Sequence, residues 1–263
     1  MNVNISNITT SSFSMDYFSF GIGKTPFVIL PGIYTKPMNT LAHAVAGAYK
    51  MFAEQFTVYV PDRRPPLPEG YSITDLANDT AALLDKLGVE NACIFGASMG
   101  GMTAQALAVK RPDLVQKLAL VSTASRIDDR SQRQFNKFLS LAKNGDLNAL
   151  SLGFAEAVYT KSFFEKFREP ILSSLEGSTQ EDIDRFITLT RSILSCSIYD
   201  ELDRIHCPAL VIAGSEDEVF SVQDSKDIAE KTNAELYIYE GYGHAVYDEA
   251  PDIKDKLFEF FTR

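Results

Sequence analysis

The sequence predicts an α/β protein whose core is a mostly parallel sheet flanked by helices. Short apolar runs alternate along the chain with stretches of helical periodicity, as in strands joined by crossover helices. The runs are almost continuously apolar, which is expected for strands that helices cover on both faces. A chain of 263 residues, 45% of them hydrophobic, can bury one core and a modest inserted subdomain.

Eight segments are strand candidates. Six apolar runs are predicted to be parallel strands, at 27–30, 56–60, 92–95, 118–121, 209–213 and 235–239. Two more polar runs, 3–8 and 15–20, are predicted to form an antiparallel edge. Between the second and third apolar runs, Ser72 and Asp75 have the spacing of a capping box, and Gly88 follows the last apolar residue. A crossover helix is therefore predicted between Ser72 and Gly88.

The alternation stops between residues 126 and 205, where amphipathic clusters rich in phenylalanine replace strands. We interpret this segment as a helical insertion over one edge of the sheet. Most of its aromatic rings are expected to pack among themselves, and some are expected to face a substrate cavity. The predicted organisation is a core of residues 1–125 and 206–263 with a helical cap of residues 126–205.

Charge and cysteine content exclude several classes of protein. A net charge of −10 disfavours binding to nucleic-acid phosphates. No apolar run approaches the roughly 20 residues that span a bilayer, and the polar N-terminal stretch does not resemble a signal peptide. Three cysteines do not form a paired framework. We expect a cytoplasmic protein with a small-molecule substrate and no nucleic-acid or membrane partner; its oligomeric state is not predicted.

A candidate nucleophile lies in the segment Gly96-Ala97-Ser98-Met99-Gly100. The Gly-x-Ser-x-Gly pattern alone is a weak signal, because glycine and serine are common residues. Here it directly follows an apolar run and opens a helix-like stretch. So tight a turn strains the serine backbone and requires small neighbours, which the glycines supply. This placement predicts Ser98 as a nucleophile.

A serine hydroxyl needs a base to accept its proton, and the chain has three histidines. His43 lies in a predicted helix, and His206 lies just before a strand. His244 lies in a loop after the last strand, at the carboxyl edge of the sheet where the Ser98 turn also opens. His244 is therefore the predicted base.

The imidazole in turn needs an acid that fixes its tautomer. Three acids, Glu216, Asp217 and Glu218, follow the strand at 209–213. Asp217 is preferred because the chain order is then Ser, Asp, His, and the resemblance described below selects the same position. The two glutamates are expected to be solvated, and Asp128 is the outside candidate.

The oxyanion formed during attack needs two backbone N–H donors. One is expected from Met99 at the start of a helix, where the helix dipole also favours negative charge. The other is expected from Ile33, in the loop that follows the strand at 27–30. Loss of one such donor typically costs about 3 kcal/mol in the barrier. No metal or cofactor is implied.

These residues resemble the α/β-hydrolase superfamily over nearly the whole chain, and in particular its 3-oxoadipate enol-lactonase and carboxylesterase branch. The similar segments are the nucleophile helix at 96–112, the helix start at 71–76, the strand at 207–214 leading to Asp217, and His244 with Glu249 and Pro251. The resemblance implies a mostly parallel eight-stranded sheet with an inserted helical cap. It also implies a Ser98–Asp217–His244 triad.

Two loops depart from the family pattern. The family usually has His-Gly in the oxyanion loop, whereas this chain has Pro31-Gly32. After the next strand the family usually has Asp-x-Arg-Gly-x-Gly, whereas this chain has Asp62-Arg63-Arg64-Pro65-Pro66. Arg63 or Arg64 is a candidate for holding a substrate carboxylate. The favoured alternative is that they pair with Asp62 or with surface acids.

The sequence therefore predicts a serine hydrolase that cleaves a small carboxylic ester through an acyl-enzyme intermediate. The apolar residues of the predicted cap favour a small or medium apolar acyl or aryl substrate. An enol-lactonase or a related C–C or C–O hydrolase is the alternative enzyme. A non-catalytic receptor that binds a small ligand in the same cavity is the alternative from a different class.

Overall fold

The strands of the fold are those that the apolar runs predict, each extended by a few residues at most. In the computed structural model, which describes residues 1–173 and 176–263, they are β1 (Val3–Thr9), β2 (Ser14–Phe20), β3 (Thr25–Leu30), β4 (Phe56–Pro61), β5 (Ala92–Ala97), β6 (Val115–Val121), β7 (Ala209–Gly214) and β8 (Glu235–Tyr239). They form one sheet in the order β1-β2-β4-β3-β5-β6-β7-β8. The pairings of β2 with β1 and with β4 are antiparallel, and the others are parallel. The predicted fold class is confirmed.

Helices connect the strands on both sides of the sheet. They are α1 (Ala42–Ala48), α2 (Ile73–Leu87), α3 (Met99–Lys110), α4 (Asp129–Lys143), α5 (Leu147–Val158), α6 (Lys161–Lys166), α7 (Arg168–Leu172), α8 (Gln180–Leu194), α9 (Val222–Thr232), α10 (Val246–Glu249) and α11 (Ile253–Thr262). The capping box at Ser72 and Asp75 begins α2, and Gly88, with φ of 65°, ends it. Both predicted ends of this helix are confirmed.

The sheet separates two hydrophobic clusters, because successive side chains of a strand point to opposite faces. Val28 and Leu30 of β3 pack with α2, α3 and α9 on one face. Phe27 and Ile29 pack with α1 and α11 on the other, where the Phe27 and Phe52 rings stack 4.9 Å apart. Among the six strands predicted to be parallel, β8 is the exception to burial on both faces, since it lies at an edge of the sheet and its first three residues are exposed.

Helices α4 to α8 lie between β6 and β7, and the described part of the 126–205 segment contains no strand, only an isolated bridge between Arg126 and Ser197. The helical content of this segment agrees with the sequence pattern. That the segment is a separate cap stays a prediction. None of the helices in the described part of the chain has the length and apolar character needed to cross a membrane. The three cysteines are free thiols.

Candidate active site

Ser98 occupies the sharp turn between β5 and α3. Its backbone has φ of 53° and ψ of −122°, in a region that residues with a side chain rarely adopt. Such strain typically costs about 1–3 kcal/mol and persists only where the surroundings impose it. Here the Ser98 N–H donates to Val121 O at 3.0 Å, and Ser98 O accepts from the Thr123 hydroxyl at 2.7 Å. Val121 is the last residue of β6 and Thr123 lies two residues beyond it, so the neighbouring strand and its following loop hold the turn in place.

The glycines of this turn are required by close approach of the backbone. A Cβ on Gly96 would lie 2.5 Å from Gly100 O, and a Cβ on Gly100 would lie 1.8 Å from Leu30 O. No side chain fits at either distance. The Gly-x-Ser-x-Gly pattern therefore has a steric basis at both Gly96 and Gly100, where only glycine fits.

The three predicted triad residues lie in hydrogen-bonding contact. The Nε2 atom of His244 is 2.9 Å from Ser98 Oγ, and its Nδ1 atom is 2.9 Å from Asp217 Oδ2. All three residues are at most 5% exposed. Ser98 follows β5, Asp217 follows β7 and His244 follows β8, so each lies just beyond the carboxyl end of a parallel strand, as the sequence predicts.

The second carboxylate oxygen of Asp217 is held by its own loop. Asp217 Oδ1 accepts from the N–H groups of Val219 at 2.8 Å and Phe220 at 2.9 Å, which leaves Oδ2 to face His244. The Asp217 carbonyl also accepts from Arg130 Nη2, at 3.0 Å. Sequence reasoning did not identify these donors, because two are main-chain groups and the third lies on α4, far away in the chain.

The other candidates for base and acid lie away from this contact. His43 and His206 are exposed, and so are Glu216 and Glu218. The Asp128 carboxylate accepts from a backbone N–H of the first turn of α4 at 2.7 Å and is thus used as a helix cap. Of the competing acids only Asp217 contacts a histidine, and of the three histidines only His244 contacts Ser98.

The loop after β3 lies directly against the nucleophile. A Cβ on Gly32 would be 3.4 Å from Ser98 Cβ and 3.9 Å from Ser98 Oγ, which are ordinary van der Waals contacts and show how near the loop lies to the hydroxyl. Within residues 1–173 and 176–263, neither Ile33 nor Met99 donates its N–H to a backbone carbonyl. Met99 is the first residue of α3, where an N–H has no intrahelical partner. Both N–H groups are therefore free of backbone acceptors, and their role as oxyanion donors stays a prediction.

The Arg63 guanidinium contacts backbone carbonyls rather than an acid. Its Nη2 donates to Pro31 O at 2.8 Å and to Gly32 O at 2.9 Å, and the residue is 7% exposed. The interpretation that Arg63 pairs with Asp62 or a surface acid is therefore wrong. The guanidinium is buried under the loop after β3, where carbonyl oxygens are its acceptors.

Arg64 pairs with a buried helix acid. Its Nε atom lies 2.9 Å from Asp79 Oδ2, and the Tyr71 hydroxyl donates to the same carboxylate oxygen. Asp62 is bound instead by Arg185 of α8, whose Nη2 is 3.1 Å from Asp62 Oδ1. Sequence reasoning missed Arg185, because one arginine on an amphipathic helix has no distinguishing pattern. Arg64 thus pairs with an acid, as favoured, but the acid is the buried Asp79 and not Asp62 or a surface acid.

The alpha/beta hydrolase fold family model matches residues 25–251. The chain belongs to this family. The resemblance predicted from its motifs is confirmed.

Relatives of this α/β hydrolase differ in the substrates that their names state. It is 26% identical over 228 residues to 3-oxoadipate enol-lactonase 2 of Acinetobacter baylyi, an alignment that covers 85% of this chain and 83% of that protein. It is 28% identical over 226 residues to RutD of Pseudomonas syringae pv. syringae, whose name proposes carbamate hydrolysis, with 80% and 87% covered.

Two solved structures share the fold of this hydrolase closely. An alpha/beta hydrolase enzyme from a Medee basin deep-sea metagenome library superposes with a TM-score of 0.87 at 24% identity, covering 98% of each chain. The enol-lactonase from Burkholderia xenovorans superposes with a TM-score of 0.85 at 22% identity, covering 98% of this chain and 100% of that one. At these identities the likeness shows the fold alone.

The His244 loop of the hydrolase is fixed to the end of α5. The Ala245 N–H donates to Val158 O at 2.8 Å. Glu249 accepts from the Thr160 N–H at 2.8 Å and from its hydroxyl at 2.5 Å. The resemblance to the family includes Glu249, but no sequence pattern identifies Thr160 as its partner. These bonds connect the position of the imidazole to the 126–205 segment.

The Asp248 carboxyl, near several tyrosines beside the His244 loop, has a raised pKa. Asp248 is exposed as a residue, but partial desolvation of its carboxyl raises the pKa to about 6, with Glu249 adding to the rise and Lys254 opposing it. Partial desolvation and the Asp248 charge together raise the pKa of Tyr34 to about 12, and Arg63 opposes the rise. The pKa of Tyr247 is raised by the same two causes. A negative charge is therefore unfavourable at this side of the site.

We expect Asp248→Asn to stabilise the hydrolase near neutral pH. The folded-state pKa lies above the ordinary 3.8, so the folded protein binds the proton more tightly, and stability falls as pH rises from about 4 through about 6. Solvent still reaches Asp248, which limits the effect to about 1 kcal/mol, or roughly 2–4 °C in Tm. Thermal melts should show the gain at pH 7.5 and none at pH 3.5. The exposed Asp203→Asn is the control, and an equal gain at both pH values would contradict the assignment.

Metal ligands do not cluster in the described residues: no group of three or more His, Cys, Asp or Glu side chains there could hold a metal ion. The expectation that the protein needs no metal or cofactor stays a prediction.

Proposed function

We propose that this α/β hydrolase is a serine hydrolase that cleaves a small carboxylic ester through an acyl-enzyme intermediate. The observation that carries the proposal is the continuous hydrogen-bonded chain from Ser98 Oγ through His244 to Asp217, with both distances at 2.9 Å. A nucleophile, a base and an orienting acid in this arrangement are what acyl transfer to serine requires.

In the first half-reaction, Ser98 Oγ attacks the ester carbonyl while His244 Nε2 accepts the hydroxyl proton. Asp217 holds the Nδ1–H and stabilises the imidazolium that forms. The carbonyl oxygen becomes an oxyanion and accepts from the Ile33 and Met99 N–H groups. The imidazolium then gives its proton to the leaving alcohol, and the acyl group remains on Ser98.

In the second half-reaction, water replaces the alcohol. His244 Nε2 accepts a proton from water as the water oxygen attacks the acyl carbonyl, and the same two N–H groups bind the oxyanion again. Collapse of the intermediate breaks the bond to Ser98 Oγ, which recovers the proton from His244. The products are a carboxylic acid and the regenerated serine.

A lactone is the second candidate substrate, because a lactone is a cyclic ester and opens by the same steps. The similarity to 3-oxoadipate enol-lactonase 2 favours it. The similarity to RutD adds carbamates to the substrates that need testing. We further propose, from the sequence, that the protein works in the cytoplasm.

The proposal is tested by labelling and by a substrate panel. A fluorophosphonate probe is expected to modify intact protein at Ser98, and p-nitrophenyl acetate and butyrate are expected to give a burst of one nitrophenol per active site. Lactones, carbamates and peptide amides, assayed beside them, identify the preferred class. A folded protein that takes up no probe and cleaves no member of the panel would support the non-catalytic receptor instead.

A further inference from the structure

Arg63 is buried below the loop that follows β3, and it contacts the two peptide carbonyls that precede Ile33, the predicted oxyanion donor. Arg63 Nη2 donates to Pro31 O at 2.8 Å and to Gly32 O at 2.9 Å. The carbonyl of Gly32 and the N–H of Ile33 belong to the same planar peptide unit. The cation therefore binds one end of the peptide whose other end is the proposed donor to the substrate oxyanion.

We propose that Arg63 is a positioning residue for the oxyanion hole, where it fixes and polarises the Gly32–Ile33 peptide so that the Ile33 N–H is a stronger, preoriented donor. The inference rests on the proposed function and deepens it, since it assigns a role to a side chain that does not touch the substrate.

Two physical effects give Arg63 this role. A charged donor on a carbonyl oxygen withdraws electron density from the peptide, and hydrogen bonds in such a chain strengthen one another. The contact also fixes the peptide before the reaction, and a donor that needs no reorientation stabilises the transition state best. The loop has little means of fixing itself, because Pro31 has no N–H and Gly32 has no side chain.

Arg63 is itself held firmly in place. Its N–H donates to Asp62 Oδ1 at 2.7 Å, and its carbonyl accepts from Arg185 Nη2 at 3.3 Å. The other oxygen of Asp62 accepts from the Met38 N–H at 2.8 Å. Burial lowers the pKa of Arg63 to about 10, so the guanidinium keeps its charge at neutral pH. A fixed, charged donor is thus present under working conditions.

Arg64 provides the matched control, because it is the adjacent arginine and has no hydrogen bond to the oxyanion loop. Its cation pairs with Asp79, below the Tyr71 ring. Loss of its charge should destabilise the fold through an unpaired buried acid and leave the loop after β3 unchanged. The two arginines therefore separate a general loss of stability from a specific loss at the oxyanion hole.

The experiment compares wild-type protein with R63M, R63K and R64M. Active sites are counted with a fluorophosphonate, so that kcat is expressed per competent site. We expect R63M to lose about 10- to 100-fold in kcat with little change in KM, somewhat less than the loss typical for outright removal of a donor. Affinity for phenylboronic acid, whose adduct with serine places an oxygen in the oxyanion hole, should fall by a similar factor. R63K should retain more activity than R63M, and R64M should keep kcat per site within about twofold.

A spectroscopic measurement tests the contact without turnover. The carbonyl ¹³C resonance of Gly32 should move upfield in R63M and stay in place in R64M, because only the first loses a charged donor on that oxygen. If R63M does not fold, R63K replaces it in the comparison. An ammonium reproduces the guanidinium contact incompletely, so the kcat of R63K should fall below that of the wild type. A wild-type kcat in R63K overturns the inference. A folded R63M with fewer competent sites but normal kcat per site also overturns it. Wild-type protein that is neither labelled nor active overturns the proposed function together with it.

Discussion

Ser98→Ala is expected to lower kcat for the preferred ester about 10⁶-fold while the protein folds normally. The variant removes the atom that forms the acyl-enzyme and leaves the rest of the site in place. Residual turnover then depends on substrate binding and the oxyanion donors alone. Ser98 Oγ is a hydrogen-bond partner of His244 and of no other side chain in the described residues, so little packing is lost.

Steady-state assays and thermal melts of the same preparations check this expectation. The matched control is Ser122→Ala. Ser122 also follows a parallel strand, has φ of 47° and is buried, but its hydroxyl has no hydrogen-bond partner in the described structure. Ser122→Ala should keep both activity and fluorophosphonate labelling. A Ser98→Ala variant that still shows a nitrophenol burst would rule out Ser98 as the nucleophile.

Asp217→Asn has the second largest expected effect, a loss of about 10⁴-fold in kcat. The Val219 and Phe220 N–H groups donate to Oδ1, so the amide oxygen takes that position and the NH2 group faces His244. The imidazole must then accept at Nδ1 and carry its proton on Nε2. In this tautomer Nε2 cannot accept the proton of Ser98, although the geometry of the site is unchanged.

The measurement is the pH dependence of kcat in Asp217→Asn together with the number of sites that a fluorophosphonate labels. Glu216→Gln and Glu218→Gln are the controls, because they remove a charge from the neighbouring exposed positions. Both should stay within about twofold of wild type, as surface changes usually do. Loss of activity in either control that equals the loss in Asp217→Asn would assign the effect to loop charge rather than to the imidazole tautomer.

The sequence predicts the sheet well because a strand that is buried on both faces consists almost entirely of apolar residues. Each apolar run becomes a strand, and the loops after β5, β7 and β8 meet at one edge because the strands are parallel. That single topological rule is enough to bring Ser98, Asp217 and His244 together. The residues whose position follows from strand order are therefore the ones that sequence reasoning found.

The supporting contacts are of another kind, and sequence reasoning assigned them wrongly or not at all. Arg63 binds main-chain carbonyls, which every residue has, so no pattern identifies its partner. The Arg185 contact with Asp62 and the Glu249 contact with Thr160 join segments of the chain whose relative placement depends on how the 126–205 helices pack. Many pairs of residues in the sequence have opposite charges or a matching donor and acceptor. Only the folded structure shows which of these pairs are in contact.

The left-handed backbone of Ser98 has an evolutionary consequence. Glycine adopts such angles without strain, so Ser98→Gly relieves part of about 1–3 kcal/mol in a protein family whose members are only marginally stable. A descendant that no longer needs the hydroxyl would therefore gain stability from Ser98→Gly. With the proposed role of Ser98, glycine at this turn in a relative would mark a protein that has kept the scaffold and lost the serine chemistry.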